Sequence, residues 1–300
     1  MKRALSVSLG SSTRDHRVEM ELLGEPITIE RIGTDGDVSK AVSLYEEFDG
    51  RVDAFGVGGA VLSIDTLDRS YELSAVWRMI KNVRHTPVVD GTGFKRIMER
   101  GMVQHLERQI GDEIRPKRGM VTSGVDRFGM AQSFDEAGYD VVYADLMFIL
   151  GLPIPLRSLK SLTRAASILG PVVRHLPMSM IYPTGEREEV TVPKYEKWYH
   201  WAQVIGGDCN YIRRHIPEGV EGKIVVTNTT TPSDVAFFRE RGIKYLATST
   251  PRLEGRTFGT NAMEAAIVAL AGKGRPLAPE EMADYIQRLG LEPEIEQLNP

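Results

Sequence analysis

The stretch KRGMVTSGVDRFGMAQSFDEAGYDVVYAD, residues 117–145, is the part of the sequence that decides the predicted fold. It has the order strand, glycine-bounded loop, helix, strand and terminal acid. These parts are residues 120–122, Gly124 to Gly129, 130–137, 141–144 and Asp145. A strand, a glycine loop, a helix and a second strand ending on an acid form the outline of a mononucleotide-binding βαβ unit.

Four residues of this stretch are candidate cofactor contacts. Gly124 and Gly129 would let backbone amides approach a pyrophosphate at a helix N-terminus, and Arg127 would attract it. Asp145 follows Gly124 by 21 residues, close to the roughly 20 expected for an acid that binds a ribose hydroxyl. Two alternatives stay open, because the loop can be an ordinary strand-to-helix turn and Asp145 can simply end a strand.

The composition limits the classes of partner. The chain has 300 residues, 42% of them hydrophobic, which is enough to bury a substantial core and form two domains. A net charge of -4 gives no basic excess, so neither nucleic acid nor an acidic membrane surface is expected as a partner. One cysteine excludes an internal disulfide. No signal-peptide core and no long apolar run is found, so we expect a cytoplasmic protein.

The rest of the chain alternates short apolar runs with amphipathic stretches of helical spacing. Such alternation is typical of mainly parallel sheets with helical crossovers. We therefore predict a two-domain α/β protein, in which a smaller α/β domain precedes a Rossmann-like parallel-sheet domain. The boundaries are 1–92 for the first domain, 93–272 for the second with an irregular insertion around 150–220, and 273–300 for a C-terminal helix and tail.

Several short motifs resemble the shikimate and quinate dehydrogenase family. They are DGTGF at 90–94 before a helix, KRG at 117–119 before the glycine loop, and NTT at 228–230, which is similar to that family's Asn-Ala-Thr element. The resemblance covers roughly residues 86–145 and 222–272, with a looser similarity in the serine-rich N-terminal loop.

The resemblance implies a dehydrogenase that oxidises a small polyhydroxylated carboxylic acid with NAD or NADP. Asp90 would handle the proton, and Asn228 and Thr229 would lie near the cofactor. The first domain would hold the acid, with carboxylate contacts from Ser11, Ser12, Thr13 and Arg14. Asp145 would favour NAD, because an acid there repels a 2′-phosphate.

The chain departs from the family pattern in two places. The family's catalytic lysine follows the strand that ends near Gly56, whereas this chain has no lysine between Lys40 and Lys81. Lys81 and Lys95 are candidate substitutes from other elements. Asp126 lies in the glycine loop, where it would repel a pyrophosphate unless it pointed away. A rival glycine loop, FGVGG at 55–59, is better placed to face a substrate.

Other readings of the candidate residues remain open. Asp90 can be a helix cap, the loop 11–14 can be a solvated turn, and the run 229–231 can cap a helix before Pro232. The histidine spacings predict no metal site. The segment 150–220 is a candidate cover for the cleft or a subunit contact in a homodimer.

Two further functions remain alternatives to the dehydrogenase. One is a non-catalytic protein that binds a small ligand or nucleotide on the same scaffold, which the absent lysine favours. The other is a nucleotide-using transferase, in which one of the two glycine loops would hold a phosphate group.

Overall fold

The computed structural model describes residues 1–65, 70–173, 175, 191–250, 252–253 and 256–300. The strands are β1 (Lys2–Ser8), β2 (His16–Leu22), β3 (Glu25–Gly33), β4 (Ala54–Gly58), β5 (Ser63–Asp65), β6 (Ser70–Glu72), β7 (Val88–Val89), β8 (Arg118–Val121), β9 (Asp140–Tyr143), β10 (Val204–Gly206), β11 (Ile224–Thr227), β12 (Tyr245–Thr248), β13 (Arg252–Leu253), β14 (Arg256–Thr257) and β15 (Glu294–Gln297). The helices are α1 (Val38–Phe48), α2 (Ser74–Met79), α3 (Thr92–Arg100), α4 (Met102–Ile110), α5 (Phe128–Glu136), α6 (Asp145–Leu150), α7 (Leu159–Val173), α8 (Glu196–Trp201), α9 (Cys209–His215), α10 (Pro232–Glu240), α11 (Thr260–Ala271) and α12 (Pro279–Arg288). Short 3-10 turns cover Ser12–Arg14 and Gly111–Glu113.

The first unit is a five-stranded sheet with the order β2-β3-β1-β4-β7. Strands β3, β1, β4 and β7 run parallel, and β2 joins the edge as an antiparallel hairpin partner of β3. Alternate residues of β1 point to opposite faces. Ala4 packs into one core with α3, α11 and α12, while Leu5 and Val7 pack into a second core with α1 and α2. Both faces are therefore covered by helices.

The second unit is a six-stranded sheet with the order β15-β12-β11-β10-β8-β9. Its first five strands in chain order run parallel, and β15 closes one edge in antiparallel orientation. Counted from β8, the parallel strands have the order 2-1-3-4-5, the flavodoxin-like arrangement of doubly wound sheets. The predicted two-domain α/β class is confirmed.

The C-terminal part of the chain departs from the predicted boundaries. Helix α11, which the sequence analysis placed in the second domain, packs against β1 and β4 of the first sheet. Its residues from Ala262 to Ala269 are all buried, so the helix needs cover on every side, and small alanines let it approach a sheet closely. Strand β15, in the predicted tail, pairs with β12. The chain therefore returns to the first unit and then ends in the second.

The two units are joined tightly where α3 crosses α5. A side chain on Gly129 of α5 would meet the backbone carbonyl oxygen of Arg96 in α3, since a Cβ built there lies 2.7 Å from that atom. Glycine at this position is therefore required by close helix packing.

We expect Gly129→Ala to lower the free energy of unfolding by roughly 1–3 kcal/mol, because the added methyl must push α3 and α5 apart. Gly101→Ala is the matched control. Gly101 has ordinary helical backbone angles, and a Cβ built there meets nothing within 4 Å. Urea unfolding of both variants measures the difference, and equal midpoints would show that the helix crossing tolerates the methyl group.

Candidate functional site

Loops from the carboxyl ends of both sheets meet in one cleft. Thr92 follows β7 of the first sheet, and Val125 and Asp126 follow β8 of the second; all three line a small cleft with a cavity volume of about 20 Å³. The remaining lining residues are Ser63, Ile64, Lys95, Arg96, Glu99, Phe128 and Gly129. Ligands of open α/β sheets bind beyond the carboxyl ends of the strands, so this cleft is the candidate site.

The cleft lies beside the switch point of the second sheet. The strand order reverses between β8 and β10, and the loops that follow these two strands are bridged by one ion pair. In that pair, Arg127 donates from Nη2 to Oδ2 of Asp208 at 2.8 Å. Asp208 in turn caps α9 by accepting the amide of Asn210 at 3.0 Å. The crevice at such a reversal is the expected ligand position in a doubly wound sheet.

Five charged side chains form a cluster between the two units, which we call the cleft cluster: Lys95, Glu99, Asp126, Arg127 and Asp208. Nζ of Lys95 donates to Oδ1 of Asp126 at 3.1 Å, and Nη1 of Arg127 donates to Oε1 of Glu99. The side chains of Glu99 and Arg127 are 0% and 3% exposed, respectively. Each cation of the cluster therefore joins the first unit to the second.

Burial and charge oppose each other in the pKa values of the cleft cluster. Burial raises the pKa of Glu99, although the guanidinium of Arg127 and the ammonium of Lys95 act against it. Burial also acts to raise the pKa of Asp126, but Lys95 and Arg127 outweigh it, and the net shift is downward. Asp126 is thus held as a carboxylate, whereas the pKa of Glu99 stays raised by burial despite the two nearby cations.

Some buried polar atoms around the cleft have no hydrogen-bond partner within the protein. They are Oγ1 of Thr92, Oε2 of Glu99 and Nε of Arg127. Thr92 and Glu99 line the cleft, and Nε of Arg127 lies 3.9 Å from the lining residue Asp126. Buried polar atoms of this kind cost free energy unless another group binds them.

Asp145 makes internal hydrogen bonds in this structure, and its contact with a ribose hydroxyl stays a prediction. Its carboxylate is buried and accepts the backbone amides of Gly124 and Val125, each at 2.9 Å. Burial raises its pKa to about 6, against the opposing effect of these amides. Asp145, the acid predicted to bind a ribose, therefore binds the loop amides that were predicted to bind a pyrophosphate. These hydrogen bonds hold the loop after β8 in a fixed conformation.

The other cofactor candidates of that loop are also committed to internal contacts. A Cβ on Gly124 would lie 2.9 Å from the Leu162 side chain in α7, so this glycine is required by packing. Gly129 is required where α5 crosses α3, and Arg127 is buried in the cleft cluster. Neither the two glycines nor Arg127 is presented to a pyrophosphate in this structure.

Helix α7 belongs to the irregular segment predicted around 150–220. It covers the loop after β8, and the carbonyl of Ser167 accepts the hydroxyl of Tyr71 from the first unit at 3.3 Å. Residues 174 and 176–190 of the same segment lie outside the described part of the chain. The described part thus contributes one helix that reaches from the second unit to the first.

Asp90 caps α3. Its carboxylate accepts the amide of Thr92 at 2.9 Å and also the amide of Leu62, which precedes β5. It lies close enough to Glu264 of α11 to raise the pKa of that residue. The capping alternative for Asp90 agrees with these contacts, and a role as proton-handling acid stays a prediction.

The N-terminal candidates are not gathered with the cleft cluster. Ser11, Thr13 and Arg14 are exposed, and the two hydroxyls of Ser11 and Thr13 hydrogen-bond to each other at 2.9 Å. The amide of Ser12 donates to Asp35 at 2.7 Å. These contacts describe a solvated turn at the end of β1, and carboxylate binding by its residues stays a prediction.

Asn228 and Thr229 lie at the carboxyl end of β11. Asn228 accepts the hydroxyl of Thr227 at 3.1 Å, and Thr229 donates to the carbonyl of Phe258 at 3.4 Å. Thr231 caps α10 in a reciprocal capping box with Asp234, which agrees with the capping alternative for that residue. A cofactor contact from Asn228 or Thr229 stays a prediction.

Comparisons with known proteins identify a family. A family model described as Domain of unknown function (DUF8754) matches residues 93–298, more than half of the chain. The chain belongs to this family. A second model, described as Domain of unknown function (DUF8753), matches residues 3–90. The two matches meet near the start of α3. No curated protein was found to match the chain.

Solved structures with some similarity have low TM-scores. A protein from Mycobacterium smegmatis in complex with β-D-fucofuranose is 10% identical, with 99% of this chain and 92% of that chain covered and a TM-score of 0.32. An NAD-dependent malic enzyme from Thermotoga maritima is 10% identical, with 96% and 84% covered and a TM-score of 0.36. A glucose-galactose binding protein from Geobacillus stearothermophilus is 9% identical, with 99% and 97% covered and a TM-score of 0.38. Such values support no functional argument.

The described residues hold neither a candidate membrane span nor a candidate metal site. No helix there combines the length and apolar composition needed to cross a bilayer. No group of three or more histidine, cysteine or acidic side chains in that part of the chain is arranged to hold a metal ion.

Three residues of the cleft cluster, Lys95, Asp126 and Arg127, were already candidates in the sequence, whereas Glu99 and Asp208 were not. A signal for Glu99 was present, because Thr92, Lys95, Arg96 and Glu99 form a polar stripe at helical spacing on a helix whose Phe94 and Met98 are buried. Nothing in the local pattern indicated that the stripe would be covered by the loop after β8. Asp208 stands 81 residues from its partner Arg127, and no short-range spacing connects them.

Proposed function

We propose that the protein binds a small polar molecule in the cleft between its two units, next to the carboxyl ends of β7 and β8. The observation that carries this proposal is the Lys95–Asp126 pair in the wall of the cleft, at the edge of the sheets where ligands of open α/β folds bind.

The charges of the cleft cluster support a ligand rather than a purely structural role. Buried ion pairs contribute little net stability, because desolvation offsets most of their attraction. Lys95 is 9% exposed and Asp126 is 38% exposed, so this pair forms a wall that a ligand can reach. A fixed ammonium beside a fixed carboxylate can orient a polar ligand without further rearrangement.

A ligand screen tests the proposal. We expect at least one small polar compound, among sugars, hydroxy acids, amino acids and nucleotides, to raise the melting temperature by mass action. Lys95→Met should weaken its binding in calorimetry. Lys117→Met is the matched control, because that lysine pairs with Glu107 away from the cleft. The proposal fails if Lys95→Met binds the compound as tightly as the control does.

The finer prediction, NAD-dependent oxidation of a polyhydroxylated acid, is the second candidate. The Lys95–Asp126 pair favours it, because a lysine and an acid together are suited to proton transfer during dehydrogenation. The loop after β8 does not fit a pyrophosphate in its present arrangement, since Asp145 occupies the amides of Gly124 and Val125. We therefore derive no step through the cofactor. Fluorescence titration with NAD and NADP, followed by a quinate- or shikimate-dependent absorbance assay, tests this candidate. A cytoplasmic location and a homodimer stay predictions.

A further inference from the structure

The amino ends of the strands of the second sheet carry a surface of tryptophan and basic side chains. Arg118 is the first residue of β8, and Trp201 is the last residue of α8, which precedes β10. Five residues form what we call the tryptophan-arginine surface: Arg118, Arg157, Lys197, Trp198 and Trp201. The cleft follows the carboxyl end of β8, so this surface lies at the other end of the sheet.

Each cation of this surface is held over an indole ring. The guanidinium groups of Arg118 and Arg157 lie 5.4 and 4.8 Å from the ring centre of Trp201. The ammonium of Lys197 lies 4.9 Å from the ring centre of Trp198. The two rings pack edge to face with their centres 5.8 Å apart, and both pack against the core of the second unit. Because the rings attract the cations, these long side chains are positioned by a rigid base.

The surface has more positive charge than its own carboxylates neutralise. Arg118, Arg157 and Lys197 are all exposed. Arg157 donates to Oδ1 of Asp140 at 2.6 Å, and among the residues that the structure describes this is the only ion pair that the three cations make. A local excess of positive charge therefore remains, although the chain as a whole has a net charge of -4. Such a patch attracts an anionic partner.

The occupied ring faces decide which kind of anion fits. Single-stranded nucleic acid binds largely by stacking its bases on aromatic faces. Here cations already lie over both rings, because Arg157 is also 5.8 Å from the ring centre of Trp198. A carboxylate needs no free ring face, since it pairs with the planar fork of a guanidinium. Tryptophan and arginine are also the residue types that most often dominate binding between proteins.

We propose that the tryptophan-arginine surface binds an acidic segment of a partner protein, with Asp or Glu side chains of that segment paired to Arg118 and Arg157. Lys197 adds a third positive charge beside them. The rings hold the guanidinium groups in place before the partner arrives, so less side-chain freedom is lost on binding. This inference is independent of the proposed function, because it concerns the end of the sheet away from the cleft.

Matched peptides test the inference. A hexapeptide of alternating Asp and Glu and its Asn and Gln counterpart are titrated into the full chain by calorimetry at low ionic strength, where exposed charges are least screened. We expect the acidic peptide to bind about tenfold or more tightly than the amide peptide. A thymidine hexanucleotide carries similar charge and represents nucleic acid. Tighter binding of the hexanucleotide, equal binding of the two peptides, or no binding of the acidic peptide would overturn the inference.

Three arginine variants locate the binding. Arg118→Gln should weaken the acidic peptide by about three- to fivefold, the range of one exposed ion pair. Arg157→Gln should weaken it more, because the carboxylate of Asp140 would then face the peptide without its partner. Arg100→Gln is the matched control, since it removes an exposed arginine of α3 that pairs with Glu136. Wild-type affinity in Arg118→Gln, or the same loss in all three variants, would overturn the inference.

Discussion

Arg127→Met is expected to lower the free energy of unfolding by about 3–5 kcal/mol, the cost typical of breaking a buried ion pair by removing one partner. Glu99 would lose the hydrogen bond from Arg127 while its side chain remains 0% exposed. Asp208 would lose less, because it is 33% exposed and still caps α9. Urea unfolding followed by the fluorescence of Trp77 in the first unit and of Trp198 and Trp201 in the second measures the effect on each unit.

Two comparisons separate this mechanism from a general loss of packing. Arg100→Met breaks the exposed pair with Glu136 and should cost at most about 1 kcal/mol. The double variant Arg127→Met with Glu99→Met should recover part of the loss, since no uncompensated buried charge remains. Equal destabilisation by Arg127→Met and Arg100→Met, or a double variant less stable than Arg127→Met, would contradict the assignment of the cost to Glu99.

The local structure of the stretch 117–145 could be predicted because its signals are short-range. The structure places β8 at Arg118–Val121, α5 at Phe128–Glu136 and β9 at Asp140–Tyr143, close to the predicted strand, helix and strand. Gly138, with φ +72°, follows the helix as predicted. Apolar periodicity and a terminal glycine determine such elements within a few residues of the chain.

The roles of residues in the same stretch depend on distant partners and could not be predicted. A loop glycine that is followed about 20 residues later by an acid is compatible with two roles of that acid. The acid can bind a ribose hydroxyl of a ligand, or it can accept backbone amides of the loop itself. The choice depends on whether other elements cover the acid, and α7 does so here by placing Leu162 against the loop. The packing of α11 against the first sheet could not be predicted either. Its apolar residues would suit either sheet, so its composition does not determine which one it covers.

Glu264→Gln is expected to change the pH dependence of stability by roughly 2–3 kcal/mol. Burial and the nearby charge of Asp90 raise the pKa of Glu264 to about 7, despite the amides of Phe94 and Gly93 that its carboxylate accepts. The folded chain therefore holds a proton on Glu264 at pH values between about 4.5 and 7, where the unfolded chain releases it. The stability that this neutral carboxyl contributes is complete below pH 4.5 and is lost as the pH rises to 7, at about 1.4 kcal/mol for each pKa unit.

Glutamine keeps an oxygen that can accept the amide of Phe94 and carries no charge at any pH. The difference in unfolding free energy, Glu264→Gln minus wild type, should therefore rise in favour of the variant between pH 4.5 and 8 and then level off. Any constant cost of the substitution cancels in this comparison. Glu136→Gln removes a carboxylate from an exposed residue and serves as the control. The difference between its unfolding free energy and that of the wild type, followed over the same pH range, shows the effect of the substitution without burial. A Glu264→Gln difference that stays constant across this range would show that the folded protein accommodates the carboxylate of Glu264, packed against the start of α3, as well as the unfolded chain does.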